Sequence, residues 1–269
     1  NHLSKYVSEV ITNKKEISDD YVEFPSKKIK SWNFSKELKD YIFQENGDVN
    51  ILHLHGVFMH TQYIGYKLSK KNNIPFVITP HGMLEPWHLK DKQLKKEIYL
   101  KFILNNILKQ SKVLHAITPL EKENLYRLTG HKNIIEIPNF IHFSKIPNFQ
   151  KEPNNEDYLL FLSRLHPKKG LDILIKAMNK IEDKKIRLKI VGAENAFSEE
   201  IKKECFRLKI SHRVDFVGSV FGEDKYKLYA NAKAFVLPSY SEAIGMVNLE
   251  AAVCNTPVIT TFNTGINPD

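Results

Sequence analysis

Along the second half of the chain, apolar and polar positions switch repeatedly between two periods. From Tyr158 the short apolar runs YLLFLS, IRLKIVG, VDFVGS, AFVLPS and PVITT alternate with stretches of helical period, among them residues 171–181 and a segment from Glu199. Short β-rich runs separated by helical segments of about ten residues specify βαβ units, and with them a parallel sheet covered by helices on both faces. The first half repeats this α/β scheme less neatly, with strands expected at residues 51–54, 76–79, 113–117 and 134–137. Between the halves, PNFIHFSKIPNFQKEPNNED carries Pro138, Pro147 and Pro153 among several Asn. Such a composition ends regular structure. It sets a domain boundary near Phe143, dividing the chain into residues 1–143 and 144–269.

Two local signals refine this outline. Thr118, Pro119 and Glu121 form a capping box with proline at the first helical position, so a helix is expected to begin there. Residues 89–112, LKDKQLKKEIYLKFILNNILKQSK, interleave lysines with Leu94, Ile98, Ile103, Leu104, Ile107 and Leu108. They predict one basic, roughly amphipathic helix. Its apolar stripe either packs on its own domain or meets an anionic membrane.

A length of 269 residues suits two α/β domains, each large enough for its own core. No apolar run reaches the 18 or so residues that cross a bilayer, and no secretory signal pattern opens the chain. Because the chain begins at Asn1 and stops just after a strand pattern, it is expected to be a fragment. Cys205 and Cys254 form neither a close pair nor a metal-type spacing, which fits a reducing cytoplasm. The net charge of +9 favours an anionic partner. No zinc finger or RNA-recognition signature accompanies it, so nucleic acid is not the expected one.

The most informative stretch is SYSEAIGMVNLEAAVCNTPVITTFNTG, residues 239–265. If a helix begins at about Gly245, Glu242 precedes it and Glu250 lies inside it, about 12 Å apart along the axis. The N–H groups and positive dipole end between them suit a diphosphate, and Gly245 is expected to let it approach the backbone. Glu250 can accept from both hydroxyls of a ribose. Upstream, SRLHPKKGLD at residues 163–172 follows a strand. There Arg164 and Lys169 can bracket a diphosphate and stabilise the charge growing on it as a leaving group, with Lys168 able to substitute for either. In HLHG (53–56) and TPHGMLEPW (79–87), histidine sits beside glycine after a strand. His53 and His55 are expected to face opposite ways and so not to share a metal ion. His81 is expected to bond a sugar hydroxyl or phosphate from a loop, with a pKa near neutrality. Nowhere do two aspartates stand at i and i+2, and the nucleophile elbow, the Walker loop and the dinucleotide fingerprint are missing.

Together these motifs, with AITPLEKENL, IPNF and FVGSVFGEDKYKLYANAKAFVLPSYSE, resemble the retaining glycosyltransferases of family 4, the "group 1" transferases of GT-B fold. The resemblance covers nearly the whole chain. It implies two Rossmann-like domains facing across a cleft, the first for a glycan or lipid-linked acceptor and the second for a nucleoside-diphosphate sugar, with no metal and no further cofactor. Carried over, Arg164 and Lys169 grip the diphosphate, Glu250 the ribose and Glu242 the donor sugar. His81 approaches that sugar, Gly245, Met246 and Val247 offer N–H groups, and Gly218 and Val220 lie beside the base. The implied activity is transfer, with retention, to a cell-envelope polysaccharide, lipopolysaccharide or lipid-linked acceptor, in the cytoplasm or at the inner face of the membrane. The alternatives are a nucleotide-sugar epimerase of the same fold and a non-catalytic nucleotide-sugar-binding fragment. The chain departs from the family at Ala243 and Ile244, where Gly or Asn and then Phe are frequent, and at Asn139–Phe140 in the linker. It also lacks the family's N-terminal glycine-rich loop and its last helices, so a truncated transferase is expected, with its activity in question.

Overall fold

The computed structural model describes residues 34–44, 49–90, 93–141 and 157–266. The chain divides into two compact units, Asn1–Ile137 and Pro138–Asp269. The boundary expected at Phe143 lies outside the described residues.

In the first unit, α1 (Lys36–Gln44) and β1 (Leu52–His55) are followed by α2 (His60–Asn72), β2 (Phe76–Thr79), α3 (Pro86–Lys90) and α4 (Gln93–Tyr99). A π-helical turn, Leu100–Leu104, leads into α5 (Asn105–Gln110), then β3 (Val113–Ala116), α6 (Pro119–Thr129) and β4 (Ile134–Glu136). The strands form a parallel sheet in the order β1-β2-β3-β4. Leu54, Phe76, Ile78, Leu114 and Ala116 from the sheet and Leu104, Ile107, Leu108 and Leu125 from helices make its core.

The helix expected across residues 89–112 is not one α-helix. From Gln93 to Gln110 it is continuous but interrupted by the π turn, whose wider winding rotates the faces before and after it. After the turn, Leu104, Ile107 and Leu108 are buried, whereas Leu94 (71 %), Ile98 (52 %) and Phe102 (70 %) stand exposed. Among the described residues, no helix is long and apolar enough to cross a membrane.

The second unit runs β5 (Tyr158–Leu162), α7 (Leu171–Lys180), β6 (Arg187–Val191), α8 (Ala196–Arg207), β7 (Val214–Gly218), α9 (Gly222–Asn231), β8 (Ala234–Leu237), α10 (Met246–Val253) and β9 (Val258–Thr260). Its parallel sheet has the order β7-β6-β5-β8-β9. Every residue of β8 is buried, as a strand covered on both faces must be. The order reverses between β5 and β8, which pair directly. At such a switch point the connections leave toward opposite faces and open a crevice at the strands' carboxyl ends. The loops there are the two that the sequence singled out, Ser163–Gly170 after β5 and Pro238–Gly245 after β8.

Candidate functional site

The loop after β5 is short and firmly held. His166 caps the 3-10 turn Pro167–Lys169 by accepting from the Lys168 N–H at 3.1 Å, and Gly170 ends the turn at φ +69°. A Cβ on Gly170 would lie 1.9 Å from the Pro238 carbonyl oxygen, so only glycine lets the two loops meet. Their second tie is the Tyr240 N–H, which donates to the Lys168 carbonyl at 2.9 Å. Lys168 is buried and so is not a ready substitute for its neighbours. Arg164 is exposed, with no ion pair among the described residues. The Lys169 ammonium is paired instead with the Glu242 carboxylate, both side chains being largely enclosed.

Glu242 is fixed from the far side as well. Its N–H donates to the Asn263 carbonyl at 3.1 Å and its carbonyl accepts from the Gly265 N–H at 3.0 Å, so the segment after β9 clamps it like a short added strand. This clamp depends on the pairing of β8 with β9 and has no local signature in the sequence.

Gly245 caps α10 at φ +59°, in the left-handed region. A Cβ there would lie 2.8 Å from Asn248 Nδ2 and 3.1 Å from Glu242 Cγ. The glycine is therefore required by the turn itself, because a side chain there would press on Asn248 and Glu242. Met246 and Val247 open the helix, where N–H groups have no intrahelical partner. No carboxylate in the first turn offsets the positive end. The Val247 side chain packs against the core. Asn248 is fully buried, and its amide nitrogen and oxygen have no hydrogen-bond partner among the described residues, a feature with no signature in the sequence.

The Glu250 carboxylate accepts from Lys225 Nζ at 2.9 Å and from the Tyr229 hydroxyl at 3.1 Å. These two residues, four apart on α9, were missed; their spacing on one helical face was the available signal. Burial, and then the Glu250 charge, push the Tyr229 phenol far above its ordinary pKa, so it stays a donor. Gly218 ends the edge strand β7 at φ +81° with open space where a Cβ would project, and Val220 is packed against the core. Both glutamates, Lys169, Arg164 and the start of α10 are thus carried by loops and helices flanking one switch point.

In the first unit, histidines converge at the carboxyl end of the sheet. His53 Nε2 lies 2.6 Å from Thr79 Oγ1, which lies 2.9 Å from His115 Nδ1; His115 Nε2 is 2.8 Å from the Ile137 carbonyl oxygen. His55 Nδ1 meets His81 Nε2 at 2.8 Å, their rings stacked at 5.1 Å. The rings of His53 and His55 are 4.2 Å apart, which corrects the expected divergence, because residues two apart on a strand share a face. Burial and neighbouring histidines lower the pKa of His53 and of His81 to about 4, and that of His55 in the same direction. His81 is therefore neutral at pH 7, not poised near it. It also adopts φ +54° without being glycine. Among the described residues, no group of three or more His, Cys, Asp or Glu is arranged to hold a metal.

The expected capping box is only half formed. Thr118 Oγ1 accepts from the Glu121 N–H at 3.1 Å, but the Glu121 carboxylate turns to the Ile117 and Gly82 N–H groups instead of the Thr118 amide.

The chain is 34 % identical over 113 residues to an uncharacterized glycosyltransferase of Methanocaldococcus jannaschii, covering 42 % of this chain and 29 % of that protein. It spans 24 % to 57 % of the length of the curated relatives it matches. Sucrose-phosphate synthase from Thermosynechococcus elongatus superposes with a TM-score of 0.77 at 21 % identity, covering 94 % of this chain and 68 % of that one. Anabaena HepE, solved with UDP-glucose, superposes with a TM-score of 0.71 at 20 % identity, covering 91 % and 68 %. At such identities the likeness establishes the fold, which is GT-B. The profile described as "Glycosyl transferases group 1" matches residues 143–269, and that described as "Glycosyltransferase Family 4" matches residues 9–145. The chain belongs to glycosyltransferase family 4.

Proposed function

We propose that the protein is a retaining glycosyltransferase that takes a sugar from a nucleoside-diphosphate donor and delivers it to a cell-envelope polysaccharide, lipopolysaccharide or lipid-linked acceptor. The second unit is the donor domain and the first the acceptor domain. The observation that carries the reading is the pair of carboxylates bracketing the Gly245 turn, Glu242 and Glu250, each matched to a lysine. A diphosphate entering at the start of α10 draws Lys169 from Glu242, and the released carboxylate accepts from donor-sugar hydroxyls. Arg164 supplies the second cation, and both cations stabilise the leaving diphosphate as the glycosidic bond breaks. Lys225 and Tyr229 hold the Glu250 carboxylate for the ribose, Met246 and Val247 offer N–H groups, and Gly218 and Val220 border the base. In the first unit, neutral His81 offers a hydrogen bond to a sugar hydroxyl or phosphate rather than a positive charge. HepE was solved with UDP-glucose, which makes UDP-sugars the first donors to try.

The acceptor side has a companion feature. Leu94, Ile98 and Phe102 are exposed apolar side chains four residues apart, alongside exposed Lys95 and Lys101. Exposed apolar side chains flanked by cations suit peripheral contact with anionic lipid at the inner face of the membrane.

The test is a thermal-shift titration against UDP, GDP, ADP and CMP and their sugar conjugates, in the native chain, Glu250→Ala and Glu250→Gln. A ligand at 100 times its Kd stabilises the folded state by about 2.7 kcal/mol, a readily measured rise in melting temperature. One nucleotide family is expected to raise it, with the effect lost in Glu250→Ala. No response to any of them, or an undiminished response in both variants, refutes the donor site.

A further inference from the structure

Glu121 is a carboxylate that donor chemistry does not use, 2 % exposed and inside the first unit. Its position, third in a helix that begins after Thr118, suffices for ordinary capping, but its oxygens serve another purpose. One accepts from the Ile117 N–H at 2.9 Å and the other from the Gly82 N–H at 2.6 Å, 39 residues back in the chain. Burial raises its pKa while these two N–H bonds lower it. One turn further along α6, Asn124 Nδ2 donates to Glu85 at 2.5 Å, and Glu85 is itself buried. Two side chains three apart on one face of α6 therefore grip the loop between β2 and α3 at its middle, Gly82, and at its end, Glu85. That loop carries His81, whose left-handed backbone is strained for a residue with a Cβ, and whose ring lies against His55.

We propose that Glu121 is a positioning residue: by fixing the Gly82 N–H it holds His81 left-handed and its imidazole against His55. A glutamine at this place has one acceptor oxygen for two N–H groups, and its own NH2 would face one of them. Thr118, by contrast, caps α6 through the Glu121 N–H and makes no hydrogen bond to the loop among the described residues. The two roles are separable, since one substitution weakens the helix alone and the other releases the loop. The catalytic consequence rests on the proposed role of His81. The positioning does not, because it is read from the ring itself and stands or falls independently of donor binding.

The experiment is imidazole ¹H–¹⁵N spectroscopy of the full 269-residue chain between pH 3.5 and 8, as native protein, Glu121→Gln and Thr118→Ala. In the native chain His81 should stay in one neutral tautomer with its midpoint near 4. In Glu121→Gln the midpoint should rise by about one unit or more toward the ordinary value as the ring gains solvent. In Thr118→Ala it should stay put while the melting temperature falls. An unchanged His81 in Glu121→Gln, or an equal shift in Thr118→Ala, overturns the proposal. Should Glu121→Gln fail to fold, the native chain decides alone. Its Gly82 amide proton should lie downfield, exchange slowly and move with the Glu121 titration; a fast-exchanging, unshifted Gly82 amide overturns the proposal equally.

Discussion

Replacing Gly170 by alanine tests how tightly the two loops at the switch point are joined. Its Cβ would sit 1.9 Å from the Pro238 oxygen and 2.7 Å from the Pro238 carbonyl carbon, whereas ordinary contact begins at 3.4 Å. The neighbours are backbone, so no side chain can swing aside, and the loops must separate by about 1.5 Å. The left-handed conformation costs an alanine about 1–2 kcal/mol. Forcing packed backbone apart adds about 1–3 kcal/mol. A total of about 2–5 kcal/mol is a large share of the 5–15 kcal/mol that stabilises a typical domain. Gly222 supplies the control, since it has φ +60° and nothing within 4 Å of its would-be Cβ. Gly222→Ala should therefore cost only about 1–2 kcal/mol. Equilibrium urea denaturation followed by circular dichroism measures both. Equal losses would mean that the close approach of Gly170 to Pro238 has no energetic weight, and the account of the switch point would fail. In Gly170→Ala the Lys169 ammonium should also leave Glu242, since the turn that carries it is displaced.

Acid should loosen the first unit. His53 and His81 titrate near 4 when folded and near 6.5 when unfolded, so between those values the unfolded chain binds more protons and stability falls as the pH drops. Glu121, raised by burial, has the opposite sign but is set against four lowered histidines, His53, His55, His60 and His81. A melting temperature that holds or rises from pH 7 to 4.5 would contradict the histidine cluster. Arg213 is 2 % exposed and its guanidinium donates to the carbonyls of Ile186 at 3.1 Å and Asp183 at 2.9 Å. Arg213→Ala leaves these carbonyls unpaired at about 1–3 kcal/mol each, so it should cost about 2–6 kcal/mol in denaturant titration, with Arg213→Lys recovering only part because it lacks the planar fork. Changing Leu94, Ile98 and Phe102 together to serine should abolish sedimentation with phosphatidylglycerol vesicles while leaving the melting temperature nearly unchanged. Equal sedimentation of variant and native chain would remove the membrane contact.

The strands, the alternation of strand and helix, the start of α10 at Gly245 and the loops that carry Arg164, Lys169 and Glu242 were legible in the sequence. Each depends on hydrophobic period or turn chemistry among neighbouring residues, which the chain states locally. The partners of those residues were not legible. Lys169 meets Glu242 across 73 positions and Lys225 meets Glu250 across 25, because the order β7-β6-β5-β8-β9 brings the ends of β5 and β8 together and α10 packs on α9. The sharing of one face by His53 and His55 was there to be read from strand period, but their low pKa values were not, since desolvation belongs to the packed state. Nor could the period of residues 89–112 announce the π turn that leaves Phe102 outside and Leu104 inside. The reach of Glu121 to Gly82 was hidden by a motif complete in itself, a capping box whose carboxylate found a stronger demand elsewhere. Local pattern thus determined which elements form and where chemistry-bearing residues stand on them. Only the tertiary structure decided which charges face one another, because pairing across a sheet depends on strand order and burial, which no short stretch of chain contains.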